Sequence, residues 1–206
     1  MSSALFRVAT LCSTLALAGV VHAEERCELS FDSGRFDVCT GRGAAAITPL
    51  SALVGRTEAG AWSYWVVKFA AVPSRSEQAR LAAIGAEVLD YLPHHAYRIR
   101  LPAGHTPQGR ITGALWTGAM APQWKVDAML TGWLSDAAGR PPAVPISVSL
   151  NAGADADAML AELAAIDGVA HAFAITSAPD RRIVLSVEGA RLEAVVLAIA
   201  PRADVA

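Results

Sequence analysis

Few residues in this sequence of 206 are spaced for chemistry. Asp32-Ser33-Gly34 has the Asp-Ser/Thr-Gly form that surrounds a catalytic aspartate in two classes of protease. No His-Gly-x-His segment accompanies it, so the triplet reads as a turn. Gly118-Ala119-Met120-Ala121-Pro122 has the outline of a loop around a serine nucleophile but contains no serine. The attacking group itself is missing. The histidines offer no metal spacing: His22 falls in a leader, His94-His95 in a turn, His105 after a glycine and His171 in a strand pattern. No H-x-x-x-H or C-x-x-C pair is present. Asp155 and Asp157 stand where a helix begins, which suits carboxylates accepting free amides better than a paired acid and base. No glycine-rich phosphate cradle follows a strand. The expectation is a chain with no catalytic residue, metal site or cofactor, and not an enzyme.

Cysteine chemistry depends on compartment. Arg7 precedes the apolar run Val8 to Val21, and Val21-His22-Ala23 has the small-x-small form of a signal-peptidase cut. The run is too short and alanine-rich for a membrane span, and no other stretch approaches the needed length. The chain is therefore expected to be secreted or periplasmic, with a leader at 1–23 and no membrane span once that leader is removed. Removal takes Cys12 and leaves Cys27 and Cys39. Two cysteines in an exported chain are expected to form one disulfide, closing a short loop at about 3 kcal/mol of chain-entropy stabilisation. The metal alternative lacks nearby His or Cys partners. A composition of 53% hydrophobic and 17% charged residues excludes a disordered chain. The net charge of −2, without a clustered basic surface, gives no case for nucleic acid or an anionic membrane surface.

The elements are clearest from Tyr64 to Gly104. Trp65, Val67 and Phe69 alternate with Tyr64, Val66 and Lys68, the pattern of a half-buried strand. Ser74-Arg75-Ser76-Glu77 is a capping box that opens a helix, and Gly85 closes it. Ala86 to Tyr91 resumes as a strand, Pro93 to Ala96 turns, and Tyr97, Ile99 and Leu101 face away from Arg98 and Arg100. Thr106 to Ala114 is then expected as a short second helix, weakened by Pro107, Gly109 and Gly113, before a fourth strand at Leu115-Trp116-Thr117. Ala119 to Trp133 reads as irregular chain whose aromatic rings cover a sheet edge or a neighbouring surface. The lead segment 24–60 is rich in Gly and Ala, turns at Thr48-Pro49 and has room for a short hairpin.

Gly139-Arg140-Pro141-Pro142 is the clearest linker, and the arrangement repeats after it. Ile146, Val148 and Leu150 mark a strand, and Asp155 or Asp157 caps a helix with Met159, Leu160, Leu163 and Ile166 on one face. Val169, His171, Phe173 and Ile175 alternate with alanines, and Ser177 to Asp180 turns the chain into a strand from Arg182 to Glu188. A final helix carries Leu192, Val195, Val196 and Ile199 and ends at Pro201, after which Ala203 to Ala206 can begin a strand. Leu81-Ala82-Ala83-Ile84 recurs as Leu163-Ala164-Ala165-Ile166 at the same helix-to-strand junction. The expected fold is α+β: two tandem ferredoxin-like (βαββαβ) open-faced sandwiches at 61–138 and 145–206, joined by 139–144. Each would pack two helices on one sheet face and leave the other free to bind.

Tyr64-Trp65-Val66-Val67-Lys68-Phe69, Gly85 to Pro93 and His95-Ala96-Tyr97-Arg98-Ile99-Arg100 resemble the N-terminal pro-region of secreted bacterial subtilisin-like (peptidase S8) serine proteases. Leu115-Trp116-Thr117-Gly118, Pro122 and Trp124-Lys125-Val126 stand in similar positions to later parts of that pattern. The resemblance spans roughly 62–128 and is only architectural from 145 onward. It implies an intramolecular chaperone and inhibitor, whose sheet packs on a protease domain in cis or in trans. It also implies that a tail lies in the protease cleft like a substrate; here the candidate is Pro201, Arg202, Ala203, Asp204, Val205 and Ala206. The Asp, His and Ser segments of a protease domain are not in the chain. A frame continuing downstream would make the whole a subtilisin-like endopeptidase. The alternatives are a free-standing exported protease inhibitor and an envelope peptide- or protein-binding module unrelated to proteolysis.

Overall fold

The computed structural model describes residues 27–40, 42–43, 62–107, 109–177 and 181–206. The leader with its cut, the Thr48-Pro49 turn and residues 178–180 lie outside the described residues. The fold is α+β, with all strand pairings antiparallel among the described residues. No helix among them is long and apolar enough to cross a membrane.

The lead segment forms a small sheet of Glu28–Phe31 (β1), Gly34–Asp37 (β2) and Arg42–Gly43 (β3). The expected disulfide is present, with the Cα atoms of Cys27 and Cys39 5.4 Å apart. The Asp37 carboxylate accepts from the amides of Cys39 and Thr40 at 2.9 and 3.1 Å, so it closes the turn beside the disulfide.

The second sheet is four-stranded: Trp62–Phe69 (β4), Glu87–Leu92 (β5), Ala96–Pro102 (β6) and Ala114–Ala119 (β7), in the order β5-β6-β4-β7. Helix Arg75–Ala83 (α1) begins with the anticipated capping box, Ser74 accepting from the Glu77 amide and Glu77 from that of Ser74. Gly85 follows at φ +78°, a left-handed conformation that costs glycine little. One face of the sheet buries Val67, Phe69, Ile99 and Leu101 against Leu81 and Ile111.

Three expectations change here. The four-stranded sheet is covered on both faces along β4. Leu29 of the disulfide-closed hairpin is fully buried with Tyr64, Val66, Ala96 and Met120, while Phe31, Phe36, Val38 and Trp124 pack around them. β4 is accordingly covered on both sides rather than half-buried, and even Lys68 has no exposed surface. The second change concerns Thr106 to Ala114, whose described residues form turns and no helix. Gly109 and Gly113 sit at φ +70° and +95°, which an α-helix cannot contain, and Ile111 and Ala114 pack on the core beneath. Third, Ala119 to Trp133 is not irregular. It holds a 3-10 turn at Pro122–Lys125 and a helix, Ala128–Ser135 (α2), capped by Asp127 accepting from the Leu130 amide at 2.9 Å.

The third sheet consists of Ala143–Ser149 (β8), Val169–Ile175 (β9) and Arg182–Glu188 (β10), in the order β8-β10-β9. Helices Ala156–Ala164 (α3) and Leu192–Ile199 (α4) cover one face. Asp155 caps α3, and all four expected residues of α4 are buried. Val126, Leu130 and Leu134 join this core from the far side of the 139–144 segment. That segment is pinned: Arg140 donates to the carbonyls of Trp133 and Leu134, and the Gly189 amide donates to Pro142 at 2.8 Å. A Cβ on Gly189 would lie 2.1 Å from the Pro141 carbonyl oxygen, so only glycine lets these backbones approach. In β9 the small residues face inward: Ala172 and Ala174 lie opposite the buried Leu185 and Ile183. His171 and Phe173 therefore stand on the uncovered face.

Candidate functional site: the tail, the cleft and an open sheet face

The residues proposed as a tail are held inside the molecule. Val205 makes an antiparallel bridge with Leu150, just beyond β8, and is buried in the core of the third sheet. Ala203 reaches the other way, into the cluster around Leu29, Tyr64 and Val66. The Arg202 guanidinium meets Glu162 at 2.5 Å and lies 3.9 Å from Asp204. Pro201 stands just after α4, and the Ala206 amide donates to Ser149 at 2.9 Å.

Two side chains grip this tail by its carbonyls. Asn151, almost fully buried, donates from Nδ2 to Ala203 at 2.9 Å and Val205 at 3.1 Å, while its backbone amide donates to Asp204 at 2.8 Å. Lys125 donates from Nζ to Arg202 at 2.8 Å and Val205 at 2.9 Å. Burial lowers the Lys125 pKa to about 8; the nearby Arg98 adds to the shift and Asp204 opposes it. Sequence reading did not single out Asn151, which has no motif around it. Lys125 entered only within the phrase Trp124-Lys125-Val126.

Next to the tail, a cleft of about 440 Å³ separates the hairpin and the β5 edge of the four-stranded sheet from β8. Asp32, Asp90, Arg98, Lys125, Ser147 and Ser149 are among its lining. Arg98 is already paired, its Nε donating to Asp90 at 2.7 Å. The lining offers paired charges, hydroxyls and the Phe31 and Trp124 rings, stacked with centroids 5.0 Å apart. A second junction lies at Arg100, which packs over the Trp62 ring at 4.4 Å, pairs with Glu87 at 2.6 Å and donates to the Ala152 carbonyl at 2.6 Å.

The other motifs are placed apart. Asp32-Ser33-Gly34 is the turn between β1 and β2. Gly118 lies in β7 opposite Val66, with the Trp116 ring occupying its side-chain space. His94 is 3.2 Å from Glu28, and His94 and His95 both carry positive φ in the turn before β6. Cys27, Asp37 and Cys39 form the one cluster of potential metal ligands among the described residues, and both of its sulfurs are bonded to each other.

One face of the third sheet is left uncovered by the helices. Ser147 and Ser149 of β8, Val184 and Ser186 of β10, and His171 and Phe173 of β9 share it by register. Phe173 is 55% exposed at its edge.

Residues 30–121 match a domain of unknown function (DUF8729). That match runs from β1 through β7 and stops before Lys125, so it leaves out the tail and its anchors. No curated protein and no solved structure matches the chain.

Proposed function

We propose that this chain is an exported protein-docking module of the pro-region kind. In this reading it consists of two tandem ferredoxin-like units and binds a subtilisin-like protease domain, in cis or in trans, as chaperone and inhibitor. The observation that carries the reading is the bare face of the third sheet, where Phe173 is exposed while helices fill the opposite face. An aromatic ring exposed on a rigid sheet is the kind of anchor that a protein partner buries.

The strand orders support the tandem part. In β8-β10-β9 with the Val205 bridge on the outer side of β8, the first strand of the unit lies between its third and the start of a fourth. The order β5-β6-β4-β7 places the first unit's strands in the same way. The two units differ in cover, since the disulfide-closed hairpin occupies in the first what stays open in the second.

The test is inhibition. The purified exported chain, residues 24–206, should slow subtilisin hydrolysis of a chromogenic peptide, and Phe173→Lys should weaken that effect at unchanged thermal stability. No slowing at a large molar excess removes the protease reading. A second reading, an envelope module that binds a peptide or protein without any link to proteolysis, is favoured by one observation. Val205 is buried and Ala206 is hydrogen-bonded to Ser149, so the tail must leave the fold before it can enter a cleft.

A further inference from the structure

Two short segments cross from the core under the hairpin to the core of the third sheet. Met120 packs with Leu29, Tyr64 and Val66, and a few residues on Val126 is buried in the other core. The tail makes the same crossing, with Ala203 in the Leu29 cluster and Val205 in the third-sheet core. The crossings are tied to each other, since Lys125 donates to the Arg202 and Val205 carbonyls. Both rest on the hairpin. Phe31 stacks on Trp124 with centroids 5.0 Å apart, and Phe36 lies 5.6 Å from the same ring. The two main hairpin strands have four residues each, and a pair that short is marginal without further support. The Cys27–Cys39 bond closes it. Cys39 is exposed and Cys27 half-buried, so a thiolate in solvent meets the bond from the Cys39 side. The tail's other hold is Asn151, which lies outside the hairpin's cluster.

We propose that the disulfide-closed hairpin is a redox-sensitive latch on the tail. While the Cys27–Cys39 bond is closed the tail stays docked across the two cores, and reduction by a dithiol loosens hairpin and tail together. The step is thiol–disulfide exchange. A thiolate of the dithiol attacks the Cys39 sulfur, and the Cys27 thiolate leaves and takes up a proton. The dithiol's second thiol then displaces Cys39 from the mixed disulfide. The reductant has lost two electrons and two protons, and both cysteines end as thiols. With the hairpin loose, Leu29 no longer holds Ala203 and Phe31 no longer holds the Trp124 turn that carries Lys125. Asn151 is then the main hold left on the tail. The latch works within the chain and needs no protease, so its test is separate from the inhibition assay.

Coupling of this kind is reciprocal: whatever closure of the bond adds to tail docking, tail docking adds to the bond. The full exported chain is equilibrated in buffers of reduced and oxidised dithiothreitol, and its free thiols are counted by mass after alkylation. Asn151→Ala weakens the tail's hold from outside the hairpin's contacts. It should let the bond be reduced at an about fivefold lower ratio of reduced to oxidised dithiothreitol. Ala203→Gly removes only a methyl group from the Leu29 cluster, should shift the equilibrium the same way, and decides if Asn151→Ala does not fold. Val187→Ala opens a cavity at the other end of the third sheet, opposite Val144, and should leave the equilibrium at the parent's value. A shift as large in Val187→Ala marks a general loss of stability and overturns the proposal. The parent's equilibrium in both tail variants overturns it too. So does a bond that dithiothreitol leaves intact in the folded chain, which would make it a permanent staple.

Discussion

Asn151 and Lys125 direct their side-chain donors to the backbone carbonyls of one short segment, and the Val205 carbonyl accepts from both. Asn151→Ala removes two bonds but leaves Val205 with Lys125, so the Ala203 carbonyl is the one abandoned, and the change should cost about 1–3 kcal/mol in urea denaturation. Lys125 behaves differently with pH. Its pKa is lowered from 10.5 to about 8 by burial, so the native state binds fewer protons than the unfolded chain between those values. Stability should therefore rise as pH increases from 8 to 10.5, by on the order of 3 kcal/mol, and show none of this term below 8. Lys125→Met abolishes the rise. Tyr64, whose pKa burial raises, contributes equally to both proteins and cancels from the difference. Parallel pH profiles of the melting temperature for the two proteins would rule out a buried, charged Lys125. Neither residue was legible as an anchor in the sequence, since a lone Asn or Lys acquires this role only from carbonyls some 50 to 80 positions away.

At the scale of elements, local signals were read well and their partners were not. The capping box at Ser74, the Gly85 stop and the Asp155 cap act within a single turn of chain, and each is where its residues indicate. The disulfide was also legible from two cysteines in a chain expected to be exported, but its role was not. It closes the hairpin that covers one face of the four-stranded sheet with Leu29. Reducing it, or the double variant Cys27→Ser/Cys39→Ser, should lower stability by about 3 kcal/mol. The same change should raise hydrogen exchange at Tyr64 and Val66, which lie under the hairpin. An unchanged exchange pattern would mean that the hairpin holds without its bond. In β9 the alternation was visible but its sense was not. The helices above that strand leave room for alanines, so the large residues turn outward.

For the whole molecule, the tail ties two cores together, Val205 in one and Ala203 in the other. Leu163 is fully buried beneath α3, and Leu163→Ala should cost about 2–5 kcal/mol in thermal or denaturant unfolding. Phe173→Lys, on the open face, should stay within about 0.5 kcal/mol of the parent by the same measurement. A large loss for Phe173→Lys would mean that this ring is structural and unavailable to a partner. By itself the sequence determined the α+β class, most strands and helices, the cap residues and the cysteine pair, because each depends on residues close together or on a period of two or 3.6. Tertiary structure alone decided which sheet face stays open and that Pro201 to Ala206 is gripped by Lys125 and Asn151 together. Those outcomes depend on which distant surfaces meet, and no local pattern of residue types encodes that meeting.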